Sequence, residues 1–311
     1  MDAKSPPITF ADKPPSTFAE KLAAMKWGFI LRWIAIITIA TPFVVAIGLA
    51  PIVNQPLYNW LLFHPHKYHA GDYANPSVTG TTPIDVYFTS GSGVKLHGFL
   101  YKLPGAKRVF LVSHGNGSNL YARRPVVAFL LRTGSSVFIY DYAGYGRSEG
   151  NPSLEEFSQD ASAAYQYLLT QEHYTPKRII LFGESIGTAV TGYLAGSVDC
   201  AGVILECPLY SIRRVGCDLI SYLDKYPDWA WTAGERQFDN SVALKKSHAP
   251  LLLIAGTADH MTPIKYADEL FALAPSPKRI IRIDGAGHGD RVMMLSPDYA
   301  RGLRQFLDDL K

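Results

Sequence analysis

The sequence predicts an α/β domain, a mostly parallel sheet covered by helices on both faces, preceded by one membrane-spanning helix. Three observations carry this expectation. From about residue 82 onward, apolar strand-like runs alternate with helical ones, the pattern of parallel strands joined by helical crossovers. One of those runs leads straight into Gly183-Glu184-Ser185-Ile186-Gly187. Trp33 to Val53 contains no charged side chain over 21 residues, enough to cross a hydrocarbon core of about 30 Å at about 1.5 Å per residue.

Taken in order, residues 1–26 form a polar tail whose Pro6, Pro7, Pro14 and Pro15 favour disorder. Residues 27–55 hold the transmembrane helix, with Pro42 inside it, and 56–81 a juxtamembrane linker. Lys13, Lys21, Lys26 and Arg32 precede the span, and the first Lys or Arg after it is Lys67. That asymmetry places the N-terminus in the cytoplasm and residues 82–311 outside it. A cleaved signal peptide, a buried core helix and the reversed orientation are the competing readings.

Within 82–311, Ile84–Phe88 and Lys95–Tyr101 read as a hairpin through Gly91 and Gly93. Further strands fall at Val109–Ser113, Val137–Tyr140, Ile179–Phe182, Val203–Glu206, Leu251–Ala255 and Ile280–Ile283. Helices are expected near Tyr121–Thr133, Leu154–Gln171, Gly187–Gly196, Ile264–Ala274 and Pro297–Leu310. The interval from about 208 to 247 is too long for a simple connection and is assigned as a cap. Its Tyr210, Tyr222, Tyr226, Trp229, Trp231 and Phe238 either wall a substrate site or pack inward.

The chemistry is concentrated in three loops. A Gly-x-Ser-x-Gly turn between strand and helix holds its serine in a strained conformation, which demands small neighbours such as Gly183 and Gly187. Ser185 is the expected nucleophile. His114-Gly115-Asn116-Gly117 follows an earlier strand and supplies a loop for an oxyanion hole, made by the backbone N–H groups of Ile186 and Asn116, with Gly117 as the alternative to Asn116. His114 is expected to hold that loop rather than to act as a base.

Asp259 follows the strand Leu251–Ala255 and is the expected acid, in the chain order Ser, Asp, His. Capping of the next helix is its alternative role. His288 lies in the glycine-rich loop after Ile280–Ile283. An imidazole, whose ordinary pKa is about 6.5, can take the serine proton and return it near neutral pH. Asp284 and Asp290 are closer to His288 in sequence, but turn and loop-anchoring roles suit them better.

These motifs, together with Asp141-Tyr142-Ala143-Gly144-Tyr145-Gly146, resemble those of the α/β-hydrolases. The resemblance is narrower to membrane-anchored α/β-hydrolase-domain proteins related to serine aminopeptidase-like lipases, and it covers roughly residues 82 to 311. It implies the α/β-hydrolase fold, a Ser-His-Asp triad, and ester or thioester hydrolysis on small-molecule or lipid acyl substrates. Many relatives carry Arg where Ala143 stands; no triad position is involved.

No cofactor and no metal is expected. His64, His66 and His69 are read as part of a headgroup-level linker, with no acidic partner beside them in sequence. A formal net charge of +3 without a basic stripe gives no case for nucleic acid. Three cysteines are too few for a disulfide framework; Cys207 and Cys217 could pair, but small buried hydrophobes are the favoured reading. Peptidase or acyltransferase activity would use the same groups, and a non-catalytic tether on the same fold is the alternative from another class.

Overall fold

A computed structural model of the chain describes residues 17–69 and 71–310. The proline-rich opening, residues 1–16, lies outside the described residues. Eight strands form one sheet: β1 Ile84–Thr89, β2 Lys95–Tyr101, β3 Val109–Ser113, β4 Ser136–Asp141, β5 Ile179–Glu184, β6 Gly202–Glu206, β7 Leu251–Gly256 and β8 Lys278–Ile283. Their order across the sheet is β8-β7-β6-β5-β3-β4-β2-β1. β1 pairs antiparallel with β2, and β2 with β4; every other pairing is parallel. Each expected strand is present, with its ends within two residues of the expected ones.

Because side chains alternate across a strand, the sheet feeds two apolar layers. On β3, Val109 and Leu111 join one layer while Phe110 and Val112 join the other. Eleven helices are described: α1 Phe18–Gly48, α2 Gln55–Leu62, α3 Arg124–Leu131, α4 Leu154–Thr170, α5 Ile186–Ala195, α6 Ile212–Leu219, α7 Ala233–Gln237, α8 Asn240–Lys246, α9 Ile264–Leu273, α10 Arg291–Leu295 and α11 Pro297–Asp309. α4, α5, α8 and α9 cover the first face; α3 and α11 cover the second. The helix expected from Tyr121 begins as a 3-10 turn, Leu120–Arg123, and only then becomes α3. Pro125 has no N–H to continue a ladder begun at Tyr121.

α1 corrects the expected limits of the apolar helix at both ends. It starts at Phe18 because Thr17 and Glu20 form a reciprocal capping box, so residues 18–26 are helical rather than part of a disordered tail. It stops at Gly48, before Val53. Pro51 cannot donate a helical hydrogen bond, and the freed carbonyls find side-chain donors: Asn54 Nδ2 reaches Gly48 O at 3.3 Å and Tyr58 hydroxyl reaches Leu49 O at 2.6 Å. α1 is long and apolar enough to cross a membrane, and no residue of its most apolar stretch is buried.

The 208–247 interval divides. α6, α7 and two 3-10 turns make the cap, but α8 packs against α5 as part of the body, with Asn240 Nδ2 donating to Leu209 O at 2.8 Å. The cap therefore ends near Asp239. Trp231 and Phe238 are buried, Phe238 edge-on to Tyr193, whereas Trp229 is 73% exposed. The cap also leans on the end of α1: Tyr226 hydroxyl donates to Ala46 O at 2.6 Å and Ile52 N–H to Ala230 O at 2.9 Å.

Candidate active site

Ser185 sits between β5 and α5 with φ +53° and ψ −121°, a backbone region that costs a non-glycine residue of order 1–3 kcal/mol. The flanking glycines make the turn sterically possible. A Cβ on Gly183 would stand 2.5 Å from Gly187 O, and one on Gly187 would stand 2.0 Å from Ser113 O. Ser185 N–H is held by Glu206 O at 3.0 Å. The strand-to-helix turn thus projects the hydroxyl at the carboxyl ends of the parallel strands, where α/β sheets place ligands.

His288 Nε2 lies 2.9 Å from Ser185 Oγ, and His288 Nδ1 lies 2.8 Å from Asp259 Oδ2. Three residues from three loops, separated by up to 103 positions, thereby form one hydrogen-bonded chain. Asp259 is buried. Burial alone would raise its pKa, but hydrogen bonds from His288 and from Thr262 outweigh that and hold the carboxyl down at about 2. Oδ1 accepts the N–H groups of Met261 and Thr262, both at 2.8 Å; Oδ2 also accepts the Thr262 hydroxyl at 2.7 Å. Asp259 thus closes a local turn and faces His288 at once; it does not cap α9, which begins after Pro263 with no side-chain cap.

The competing groups have other partners. Asp284 accepts from Thr257 Oγ1 at 3.1 Å, and Asp290 caps α10 through Met293 N–H while accepting Gly287 N–H at 2.8 Å. Both anchor loops. His114 is fully buried with Nδ1 2.7 Å from Gly115 O and Nε2 3.5 Å from Asp141, as a loop-holding residue would be. His260 is exposed.

Ile186 opens α5, where a helix leaves its first N–H groups without intrahelical partners. Asn116 lies in the loop after β3. That loop abuts the elbow: a Cβ on Gly115 would stand 3.1 Å from Glu184 Oε1. Arg123 ties the two together, its Nε 3.2 Å from Glu184 Oε2 and its Nη2 donating to Gly117 O at 2.9 Å. Neither Arg123, Glu184 nor Thr262 stands out in sequence, because each acts only through partners far along the chain or inside a turn.

Among the described residues, two groups set potential metal-ligand atoms within 4.8 Å of one another: His66, His69 and Asp72, and Cys207, Asp259 and His288. The second shares two residues with the hydrogen-bonded chain. The first corrects the expectation that the juxtamembrane histidines have no acidic neighbour. Asp72 stands 3.4 Å from His66 Nε2 and accepts His69 N–H at 2.6 Å, a backbone bond that leads in lowering its pKa. All three cysteines are free thiols, so Cys207 and Cys217 are not paired; Cys207 is buried against Met293.

Comparison with known proteins agrees with this architecture. The family model for serine aminopeptidase, S33, matches residues 104–234. An uncharacterized protein of Mycobacterium tuberculosis strain H37Rv is 32% identical over 245 residues, covering 75% of this chain and 83% of that one. Human alpha/beta hydrolase domain-containing protein 17C is 34% identical over 213 residues, covering 67% of this chain but only 60% of that protein. In fold, the Pyrococcus furiosus esterase Pf2001 matches with a TM-score of 0.65 at 21% identity, over 79% of this chain and 97% of that one. The chain belongs to the α/β-hydrolase superfamily.

Proposed function

We propose that this protein is a membrane-anchored serine hydrolase that cleaves carboxylic ester or thioester bonds of small-molecule or lipid acyl substrates. The observation that carries the reading is the continuous chain Ser185 Oγ, His288 Nε2, His288 Nδ1, Asp259 Oδ2, with links of 2.9 and 2.8 Å. It has the order and polarity that base-assisted nucleophilic attack requires.

In this mechanism Ser185 Oγ attacks the acyl carbon while its proton passes to His288 Nε2. Asp259 keeps Nδ1–H in place and stabilises the imidazolium. The carbonyl oxygen becomes an oxyanion held by the N–H groups of Ile186 and Asn116. Collapse expels the alcohol or thiol, which takes the proton from His288. Water then enters, gives a proton to His288, and attacks the acyl-enzyme; release of the acid returns that proton to Ser185. No cofactor or metal takes part in these steps.

α1 is the anchor in this reading, and the basic residues preceding it put the hydrolase domain on the extracytoplasmic side. Tyr58, Tyr222 and Tyr226 gather at its exit, as aromatic residues do at a membrane interface. Lipid-borne acyl groups would therefore be presented close to the domain.

Turnover of a short, water-soluble ester by the native chain and by Ser185→Ala tests the reading. The variant should fold and be inactive. Equal turnover in the two proteins would remove Ser185 from the mechanism.

A further inference from the structure

The segment joining the membrane helix to the hydrolase domain does not hang free beside it. Leaving α2, the chain runs along the loop that carries Asn116. His64 and Pro65 pair in parallel with Gly117 and Ser118, and His66 N–H donates to Ser118 O at 3.1 Å. His66 O in turn accepts Gly146 N–H at 3.0 Å and Asn119 Nδ2 at 3.3 Å, while Tyr68 N–H reaches Gly146 O at 2.9 Å. The segment is hydrogen-bonded on one side to the Asn116 loop and on the other to the turn after β4.

The Asn116 side chain is the centre of this lattice. Its Nδ2 donates to Leu62 O and lies 3.1 Å from His64 Nδ1. Its Oδ1 accepts His64 N–H at 3.1 Å and Tyr145 hydroxyl at 2.9 Å. Both ends of the carboxamide are therefore engaged, and three of the four groups it meets belong to residues 62–64. An oxyanion donor is effective only where its N–H is fixed before charge develops. In a glycine-flanked loop, backbone torsions alone do not provide that rigidity.

We infer that residues 62–66 are a strap that positions the oxyanion loop, and that the Asn116 carboxamide is the positioning group that fastens it. The inference rests on the proposed serine-hydrolase reading. Asn116 then has two separate duties: its backbone N–H faces the oxyanion, and its side chain sets where that N–H points. The strap is also tied to the anchor. Asn54 and Tyr58, at the start and in the middle of α2, bond to the last carbonyls of α1, so one short helix separates the membrane exit from the reacting loop.

The test uses the full-length protein in nanodiscs and three variants, each with thermal unfolding measured to show that it folds. Asn116→Ala keeps the backbone N–H and removes the fastening. It should lower kcat by at least about ten-fold while changing KM by less than about three-fold, as loss of transition-state stabilisation does. Affinity for a trifluoromethyl ketone, whose adduct carries an oxyanion, should fall in parallel with kcat. Asn116→Asp keeps the acceptor for His64 N–H and Tyr145 hydroxyl but loses the donor to Leu62 O and adds a negative charge to the oxyanion loop, so it should lower kcat at least as much as Asn116→Ala. Tyr145→Phe removes one hydroxyl from a buried ring and should give a smaller loss of the same kind.

A folded Asn116→Ala protein with kcat within about two-fold of native overturns the inference. So does a loss of kcat with unchanged affinity for the ketone, because it would leave the oxyanion site intact. Ser185→Ala is assayed alongside. If it retains turnover, the serine-hydrolase reading fails; if it is inactive while Asn116→Ala is fully active, only the strap fails.

Discussion

Glu206, at the end of β6, faces Glu184, one residue before Ser185 on β5, in register across the β5–β6 ladder. Burial and then the neighbouring Glu184 charge push the Glu206 carboxyl up to about 7, against an opposing hydrogen bond from the Tyr299 hydroxyl. The folded state thus binds a proton that the unfolded chain releases at its ordinary value of 4.5. The associated stability is complete below pH 4.5 and is lost as pH rises through about 7. Glu206→Gln should therefore match the native protein near pH 4.5 and exceed it above pH 7, by on the order of 3 kcal/mol. Thermal unfolding at the two pH values reads this directly; parallel profiles would show that Glu206 is not the titrating group.

Asp259 has the opposite shift. Its stabilising contribution is present above the usual carboxylate range and disappears as pH falls through about 2. Neutralising it removes the partner of His288 Nδ1, so Asp259→Asn should reduce kcat by on the order of 10⁴. Thr262→Val removes a single hydroxyl donor and should cost roughly ten-fold. Asp284→Asn and Asp290→Asn should stay within a few-fold of native. Steady-state kinetics on all four variants would expose a mistaken acid if either of the last two proved the damaging change.

Gly187 faces backbone rather than a movable side chain, since an added Cβ would stand 2.0 Å from Ser113 O and 2.7 Å from His114 O. Gly187→Ala must separate α5 from β3, and both elements carry the site. The expected outcome is loss of several kcal/mol or failure to fold, measured by denaturant unfolding. A native-like midpoint would mean that the elbow is looser than this packing.

The proposed anchor yields a prediction about place. Protease added to intact cells with a permeabilised outer layer should digest the hydrolase domain and spare the N-terminal tail. Protection of the domain, with digestion of the tail, would reverse the orientation. In the same preparation Trp229→Glu should lower turnover of a bilayer-resident ester and leave a water-soluble ester unaffected, because Trp229 is exposed and its neighbour Ala230 is bonded to Ile52 at the exit of α1.

Much of this was legible in the sequence where the signal is local. The strands are runs of β-branched and aromatic residues bounded by turns, and Ser185, Asp259 and His288 each follow a strand in a recognisable string. The strap was not legible, because His64 meets Gly117 from 53 positions away and neither residue carries a pairing pattern. Glu206 at a strand end and Arg123 after a loop look like any surface charge until the fold encloses them. The limits of α1 escaped for a different reason: a hydrophobic count registers lipid-compatible residues, whereas the helix starts at a polar capping box and stops at a proline turn.

The most direct test of the account is covalent. The native protein should react with a fluorophosphonate once per chain, and peptide mass spectrometry should locate the adduct on Ser185. Ser185→Ala should remain unlabelled. An adduct on another residue, or equal labelling of folded Ser185→Ala, would contradict the central claim.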